Sequence, residues 1–206
     1  MTESNLTQQL TSFNILLIGD SCIDEYHYGT VERLSPEAPV PILKVTRCES
    51  KAGMAANVKD NFESLGIDVN FLTGGTRSIK KRYIDERSKQ HILRVDEDKP
   101  NPPFNAKNSW LNFNEYDAIV ISDYDKGFIT YDNVRALREQ YDGPVFIDTK
   151  KRDLAKFEGC IVKINELERN LAISTCSNMI TTLAGKGAEY NGKIYPAKLV
   201  EVADVC

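Results

Sequence analysis

NILLIGD, residues 14–20, sets the architecture. Four large apolar residues, Ile15 to Ile18, run without interruption into Gly-Asp. A run that is apolar on both faces and too short for a helix suits a central strand of a parallel sheet. Similar runs recur at YDAIVIS (116–122), PVFID (144–148), GCIVKIN (159–165) and NMITTLA (178–184), and IDVNFLT (67–73) reads as another strand. Helical patterns lie between them. Met54, Ala55, Val58, Phe62 and Leu65 form one apolar face that Gly66 ends, and TYDNVRALREQY (130–141) is a second helix. Strands alternating with helices predict an α/β domain with a mostly parallel sheet.

Two segments break that rhythm. Residues 21–47 contain the extended VPILKVT (40–46), and 78–98 read as two β pieces around a polar turn. Together they predict a small accessory β-lid, spanning about 24–47 and 78–98. Asn-Gly within EYNGKIY (189–195) is a two-residue hairpin signal. The chain closes on KLVEVADVC (198–206), where Val200, Val202 and Val205 read as one more buried strand, an unusual way for a domain to stop. Residues 1–12 are expected to be a flexible N-terminus, and 13–206 one domain lacking its end.

With 206 residues, 41% of them hydrophobic and 27% charged, the chain has enough apolar surface for a real core. A net charge of -4 argues against nucleic acid or an anionic membrane surface as partner. No stretch approaches the ~18 apolar residues of a membrane span. No secretory signal opens the chain. The five cysteines are scattered with no metal-ligand spacing, as expected of reduced thiols in a cytoplasmic protein.

Ligands of an open α/β sheet gather beyond the carboxyl ends of its strands. Polar clusters stand there: Asp20 and Asp24; Ser122, Asp123, Tyr124, Lys126 and Gly127; Asp148, Thr149 and Lys150; Asn165 and Glu168; and Thr182. Gly53 and Asn57 stand at the start of the first helix, where free amides and the helix dipole favour anions. On a strand, Lys80 and Arg82 share one face, and Arg94 lies on the facing piece. Such a face suits a phosphorylated small molecule; a solvated surface has the same spacing. His27 and His91 have no metal-ligand spacing, and Trp110 reads as a core or loop anchor.

GDSCIDEYHYG (19–29), RLSPEAPVPILKV (33–45) and GMAANV (53–58) resemble motifs of the ribokinase-like (PfkB) carbohydrate kinases. Within that family they are most similar to the heptose-7-phosphate kinase domains of bifunctional heptose kinase/adenylyltransferases. IKKRYI…SKQHILRVD resembles that group's second lid segment, SDYDKG its Ser-Asp-Tyr-x-Lys-Gly, IDTK its Ile-Asp-Pro-Lys, KINELE its Thr-Pro-Asn-x-x-Glu and TTLAGKGA its nucleotide loop. The resemblance covers roughly residues 13 to 206, an incomplete kinase domain on this reading. It implies a three-layer sandwich and transfer of a phosphoryl group from ATP, with Mg²⁺, to a hydroxyl of a sugar or sugar phosphate.

Residue by residue, the resemblance implies that Asp24, Gly53 and Asn57 hold sugar hydroxyls. Lys80, Arg82, Gln90 and Arg94 would line the lid side, and Asp123, Lys126, Asp148 and Lys150 would sit between sugar and phosphates. Asn165 and Glu168 would organise Mg²⁺ through water, while Thr182 and Gly187 would lie along the nucleotide. It also implies a homodimer through the lid. Met54 departs from the group, standing where it carries a second glycine, and Ile164 replaces a proline. The spans from LTGG to SIKK and from NELERNLAI to NMITT are shorter than in the group. The group's Gly-Ala-Gly-Asp, which would follow VEVADVC, supplies the anion hole and the catalytic base. The base is therefore expected beyond Cys206, and no residue of this chain is assigned to that role. Without it the barrier is expected to rise on the order of 5 kcal/mol or more, leaving this chain inactive alone. The alternative is a non-catalytic protein, a pseudokinase or split half that keeps sugar-phosphate binding and dimerisation.

Overall fold

The computed structural model describes residues 13–108 and 111–198. The expectations for 1–12, for Trp110, and for the closing strand from Val200 to Cys206 fall outside those residues. So does the expected continuation past Cys206, on which the structure bears in neither direction. β1 (Ile15–Gly19) is buried along its whole length. It pairs in parallel with β4 (Val69–Thr73) on one side and β7 (Ala118–Asp123) on the other. β8 (Val145–Thr149), β9 (Ile161–Asn165) and β10 (Met179–Thr182) extend the parallel run, and the antiparallel β11 (Ala188–Tyr190) and β12 (Lys193–Tyr195) finish it. The order β12-β11-β10-β9-β8-β7-β1-β4 places every parallel strand's carboxyl end on one edge. The β11–β12 turn is built by Asn191 and Gly192, both at positive φ, as the Asn-Gly signal requires.

One face of the sheet carries the main core: Leu16, Ile18, Ile119, Ile121, Ile147, Val162 and Ile164 pack with Val134, Leu137 and Phe157. Full burial of each such side chain is worth about 1.5–3 kcal/mol. Val134 and Leu137 come from α2 (Tyr131–Arg138), whose N-cap Thr130 accepts a hydrogen bond from Asn133 N at 3.2 Å. The other face is covered near β1 and β4 by α1 (Ala55–Ser64), with Phe62 against Ile15, Ile67 and Val69. Further along that face Phe146 remains 39% exposed on β8. The fold is therefore mixed α/β with a mostly parallel sheet and few helices; among the described residues the second helical layer is partial.

The lid is a separate four-stranded sheet, ordered β3-β2-β5-β6. β2 (Ser21–Leu34) leaves the tip of β1, β3 (Pro41–Met54) returns to α1, and β5 (Ser78–Asp85) and β6 (Gln90–Glu97) form the hairpin. It is broader than expected, because β3 continues through Gly53 into the helix. Asp85 locks the hairpin tip: its carboxylate accepts from Val31 N at 3.1 Å, Ser88 N at 3.0 Å and Ser88 Oγ at 2.7 Å. The Ser88 hydroxyl, then the Ser88 and Val31 amides, hold its pKa below the ordinary 3.8. A depressed carboxyl pKa stabilises above the unfolded value and loses that stabilisation as pH falls through the folded one. Amides of the 86–89 turn are therefore expected to lose exchange protection as pH drops below about 3.8. In Asp85→Asn that acid dependence should be gone; an unchanged acid profile in the variant would place the lock elsewhere.

Candidate functional site

The lid rises from the same sheet edge on which the strand tips converge, and a cavity of about 800 Å³ lies between them. Asp24, Tyr26, Lys80 and Arg82 face it from the lid, Asn57 and Asp60 from α1, and Tyr124 and Lys150 from the tips of β7 and β8. The pleat explains the lid contribution. Asp24 pairs with Lys51 and Lys80, and Tyr26 pairs with Arg82, so alternate residues of three strands share one face. Lys51 completes a set of four cations around the cavity, with Lys80, Arg82 and Lys150, against two acids.

Asp24 and Arg82 form an ion pair at the centre, with side chains 15% and 16% exposed. Burial works against the Arg82 charge, but the hydrogen bond and charge of Asp24 outweigh it and hold the guanidinium above its ordinary range. Beneath Asp24 lies Cys22, whose thiol is pushed up to about 11 by burial and then by the Asp24 charge. Tyr124 spans from sheet to lid: Lys80 Nζ and Lys150 Nζ each lie 5.6 Å from its ring centroid. Burial of Lys150 opposes its charge, and its bond to Glu168 more than compensates, keeping the ammonium above its ordinary range.

Asp20 holds the base of the site. Its Oδ2 accepts from Tyr124 N at 2.9 Å and Lys126 N at 3.4 Å, and its carbonyl accepts from Ala55 N at 2.9 Å. One of the free helix amides is thus already bonded to the end of β1. Gly53 is a glycine for a steric reason: a Cβ there would meet Asp24 Oδ2 and would stand 2.5 Å from Cys22 Sγ. Met54, the next residue, caps α1 at φ 58°, ψ -129°, and is buried. Such a backbone suits glycine and costs a longer residue about 1–3 kcal/mol. Met54→Ala keeps that strain and loses packing; Met54→Gly loses packing but not conformation. Urea melts are expected to find the glycine variant more stable than the alanine variant by about 1–2 kcal/mol. Equal stabilities would show that the backbone relaxes at this position.

The remaining expected site residues divide. Arg94 lies opposite Arg82 on β6 and is held by Asp96 at 2.6–2.7 Å. Lys126 bonds Asp98 at the foot of the lid. Asp148 pairs with Lys163 at 2.9 Å on β8 and β9. Asp123 is not in the cavity wall: 1% exposed, it accepts from Thr149 Oγ1 at 2.7 Å, Asp125 N at 2.9 Å and Lys151 Nζ at 3.2 Å. Burial pushes its carboxyl up, and Lys151 and Thr149 pull it back only in part. Asn165 and Glu168 form a reciprocal capping box on α3 (Glu166–Leu171). Gln90 points away: a bulge between Tyr83 and Ile84 sets His91 opposite Ile84 and Gln90 opposite Asp85. Thr182 donates to Ile164 O at 3.4 Å. Gly187, at φ 101°, makes room for Tyr195 O of the returning β12.

Tyr26, Lys51 and Asp60 were not among the residues expected to bind, and Tyr124 was expected only as one member of the polar cluster after β7. Tyr26 and Lys51 were within reach of a pleat argument, since both share the Asp24 face once the β2–β3 pairing is known. Among the described residues no group of His, Cys, Asp and Glu is placed to hold a metal ion directly. No described helix is long and apolar enough to cross a membrane.

No family model matches the chain. It is 32% identical over 198 residues to "Bifunctional protein HldE" of Hydrogenovibrio crunogenus, a match covering 80% of this chain and 41% of that protein. The chain thus spans about two-fifths of the length of the curated relatives it matches. Among solved structures it is similar to Arabidopsis thaliana ribokinase complexed with ribose and ATP, with TM-score 0.60, 11% identity, and coverage of 94% of this chain and 80% of that one. Escherichia coli phosphofructokinase-2 in complex with fructose-6-phosphate gives TM-score 0.58 and 12% identity, covering 94% of this chain and 82% of that one.

Proposed function

We propose, for a chain that is a homologue of the bifunctional HldE proteins built on the ribokinase-like carbohydrate-kinase fold, that the lid cavity binds a sugar phosphate of the heptose 7-phosphate kind as the acceptor half of a cytoplasmic ATP-dependent kinase. The observation that carries this reading is the cavity itself: four cations and the Asp24 carboxylate converge between lid and sheet edge. Carboxylate and amide groups such as Asp24 and Asn57 orient sugar hydroxyls, and Lys80, Arg82 and Lys150 supply charge for phosphate oxygens. Fructose-6-phosphate and ribose in the similar structures accord with such a ligand.

ATP, when bound, supplies the phosphoryl group. Thr182 and Gly187 stand at the β10 end of the edge, four strand spacings from β1, or ~19 Å. A nucleotide lying there would direct its phosphates along the tips of β9 and β8 toward Lys150. Direct Mg²⁺ coordination does not fit the described residues, because Glu168 bonds Asn165 N at 2.7 Å and also Lys150.

The acids nearest the cavity centre and along the neighbouring tips already hold partners: Asp24 holds Arg82, Asp148 holds Lys163, and Asp123 belongs to a buried cluster. This supports the second reading, a chain that binds without turnover. On the lid face turned from the cavity, Leu93 and Val95 are 55% and 36% exposed beside the stacked His27 and Tyr83 rings. That face is proposed as the surface through which two lids pair.

Titration calorimetry with sedoheptulose 7-phosphate tests the binding, and ADP release tests turnover. Arg82→Ala is expected to weaken binding about tenfold to a hundredfold, the worth of hydrogen bonds to charged groups. With Asp24, Asp148 and Asp123 engaged, this chain is expected to release no ADP. Binding indifferent to Arg82 would put the ligand elsewhere. Turnover by the chain would require one of those partnered acids, or Asp60 of α1 at the cavity wall, to serve as the base.

A further inference from the structure

The lid cavity does not end at Arg82. A second compartment of about 450 Å³ lies outward along the same lid face and shares Tyr26 and Lys51 with the first. Its floor is aromatic: the Tyr26 and Tyr28 rings are stacked, with centroids 6.2 Å apart and planes 13° from parallel. Arg47 lies over Tyr28 with Cζ 3.9 Å from the ring centroid, and is tied to Glu49 and Glu86. Lys51, Lys89 and His91 complete the wall. None of these three enters a salt bridge among the described residues.

We infer that this outer compartment receives the phosphate already carried by the sugar, while the inner cavity holds its ring; the inference rests on the sugar-binding reading above. The charge pattern divides the two roles. In the inner cavity Arg82 is neutralised by Asp24 and Lys150 is tied to Glu168, which leaves Lys80 as the cation belonging to that cavity alone that has no salt bridge among the described residues. The outer wall adds Lys89 and His91 to the shared Lys51, none of them in a salt bridge among the described residues, and its one acid, Glu86, is already bonded to Arg47 and Thr46, so the excess positive charge there suits a dianion. The spacing fits an elongated ligand. Tyr28 lies four residues beyond Asp24 on β2, ~13 Å along the strand. A ligand gripped at Asp24 reaches Lys89 and His91 only if its charged end extends away from the sheet edge. The flat Tyr26–Tyr28 surface between supports a sugar face or its exocyclic carbons. Compact, unphosphorylated sugars would leave the outer compartment to water.

The test compares sedoheptulose 7-phosphate with sedoheptulose, by calorimetry, on the 206-residue chain and on the double variant Lys89→Ala/His91→Ala. Both residues are exposed, so folding is not at stake; circular dichroism checks it. The unaltered chain should bind the phosphorylated sugar at least tenfold more tightly than the parent sugar. In the double variant that advantage should shrink to within about twofold, with sedoheptulose affinity unchanged. An advantage that survives in the double variant overturns the inference and leaves the sugar site standing, with the phosphate at Lys80 and Arg82 instead. Failure of both sugars to bind the unaltered chain overturns the site reading and the inference together.

Discussion

Gly53→Val is expected to destabilise the chain by about 2–3 kcal/mol and to abolish measurable sugar-phosphate binding. The glycine sits on β3 directly opposite Cys22. A Cβ at this position collides with Asp24 Oδ2 and Cys22 Sγ, so one or both side chains must shift. Asp24 is held by Arg82 from the neighbouring strand, and Cys22 is 3% exposed. The branched side chain must therefore separate β3 from β2 or turn the Asp24 carboxylate out of the cavity. Either movement breaks the Asp24–Arg82 pair and leaves a partly buried carboxylate without its cation. Gly75 is the control. Nothing lies within 4 Å of a Cβ built there, and Gly75→Ala should stay within about 0.5 kcal/mol of the parent. Urea denaturation and calorimetric titration read the two effects separately. If Gly53→Val binds as the parent does, Asp24 is not a ligand-orienting group.

The parts of this fold that the residues announce are those governed by local chemistry. Ile15 to Ile18 can only be buried on both sides, and β1 is. Asn191-Gly192 can take positive φ twice, and the β11–β12 hairpin uses it. The site is less legible because it depends on register between segments far apart in sequence. A regular hairpin would put even-numbered residues of β6, Gln90 included, on the cavity face. One extra residue in the ladder after Arg94 and Leu93 reverses the alternation and presents His91 instead. No composition or spacing in SKQHILRVD marks that bulge. Asn165 and Glu168 teach a different lesson. An Asn followed three residues later by Glu is a capping box whatever else it does, and here each side chain bonds the other's backbone amide. Phe146 shows the limit of reading an apolar run as buried: β8 alternates between a covered and an open face, and the run PVFI does not tell which face lacks a partner.

Asp123→Ala is expected to cost about 3–4 kcal/mol, the largest loss for any polar residue at the sheet edge. The carboxylate side chain is fully enclosed at the end of β7, and Lys151, its cation, is 9% exposed. Three donors converge on it: the Thr149 hydroxyl from β8, the Asp125 amide and the Lys151 ammonium. It thus fastens β7 to β8 and fixes the turn that carries Tyr124 into the cavity. Alanine strands all three donors, though Lys151 retains Asp125, which keeps the cost near the lower end for a broken buried pair. Asp123→Asn keeps an acceptor for Thr149 or for the Asp125 amide and removes a charge whose burial is unfavourable. Its cost should be about half that of alanine, ~1.5–2 kcal/mol. The pH dependence separates this role from a surface charge. Burial raises the folded-state pKa above 3.8, so ionisation weighs on the native state as pH rises through the folded value. Relative to the parent, Asp123→Asn should therefore compare best above that folded pKa and worst near pH 3, where the parent carboxyl is already neutral. Equal differences at pH 3 and pH 7 would mean that the carboxyl titrates as an exposed group, and the clamp assigned to it would fall.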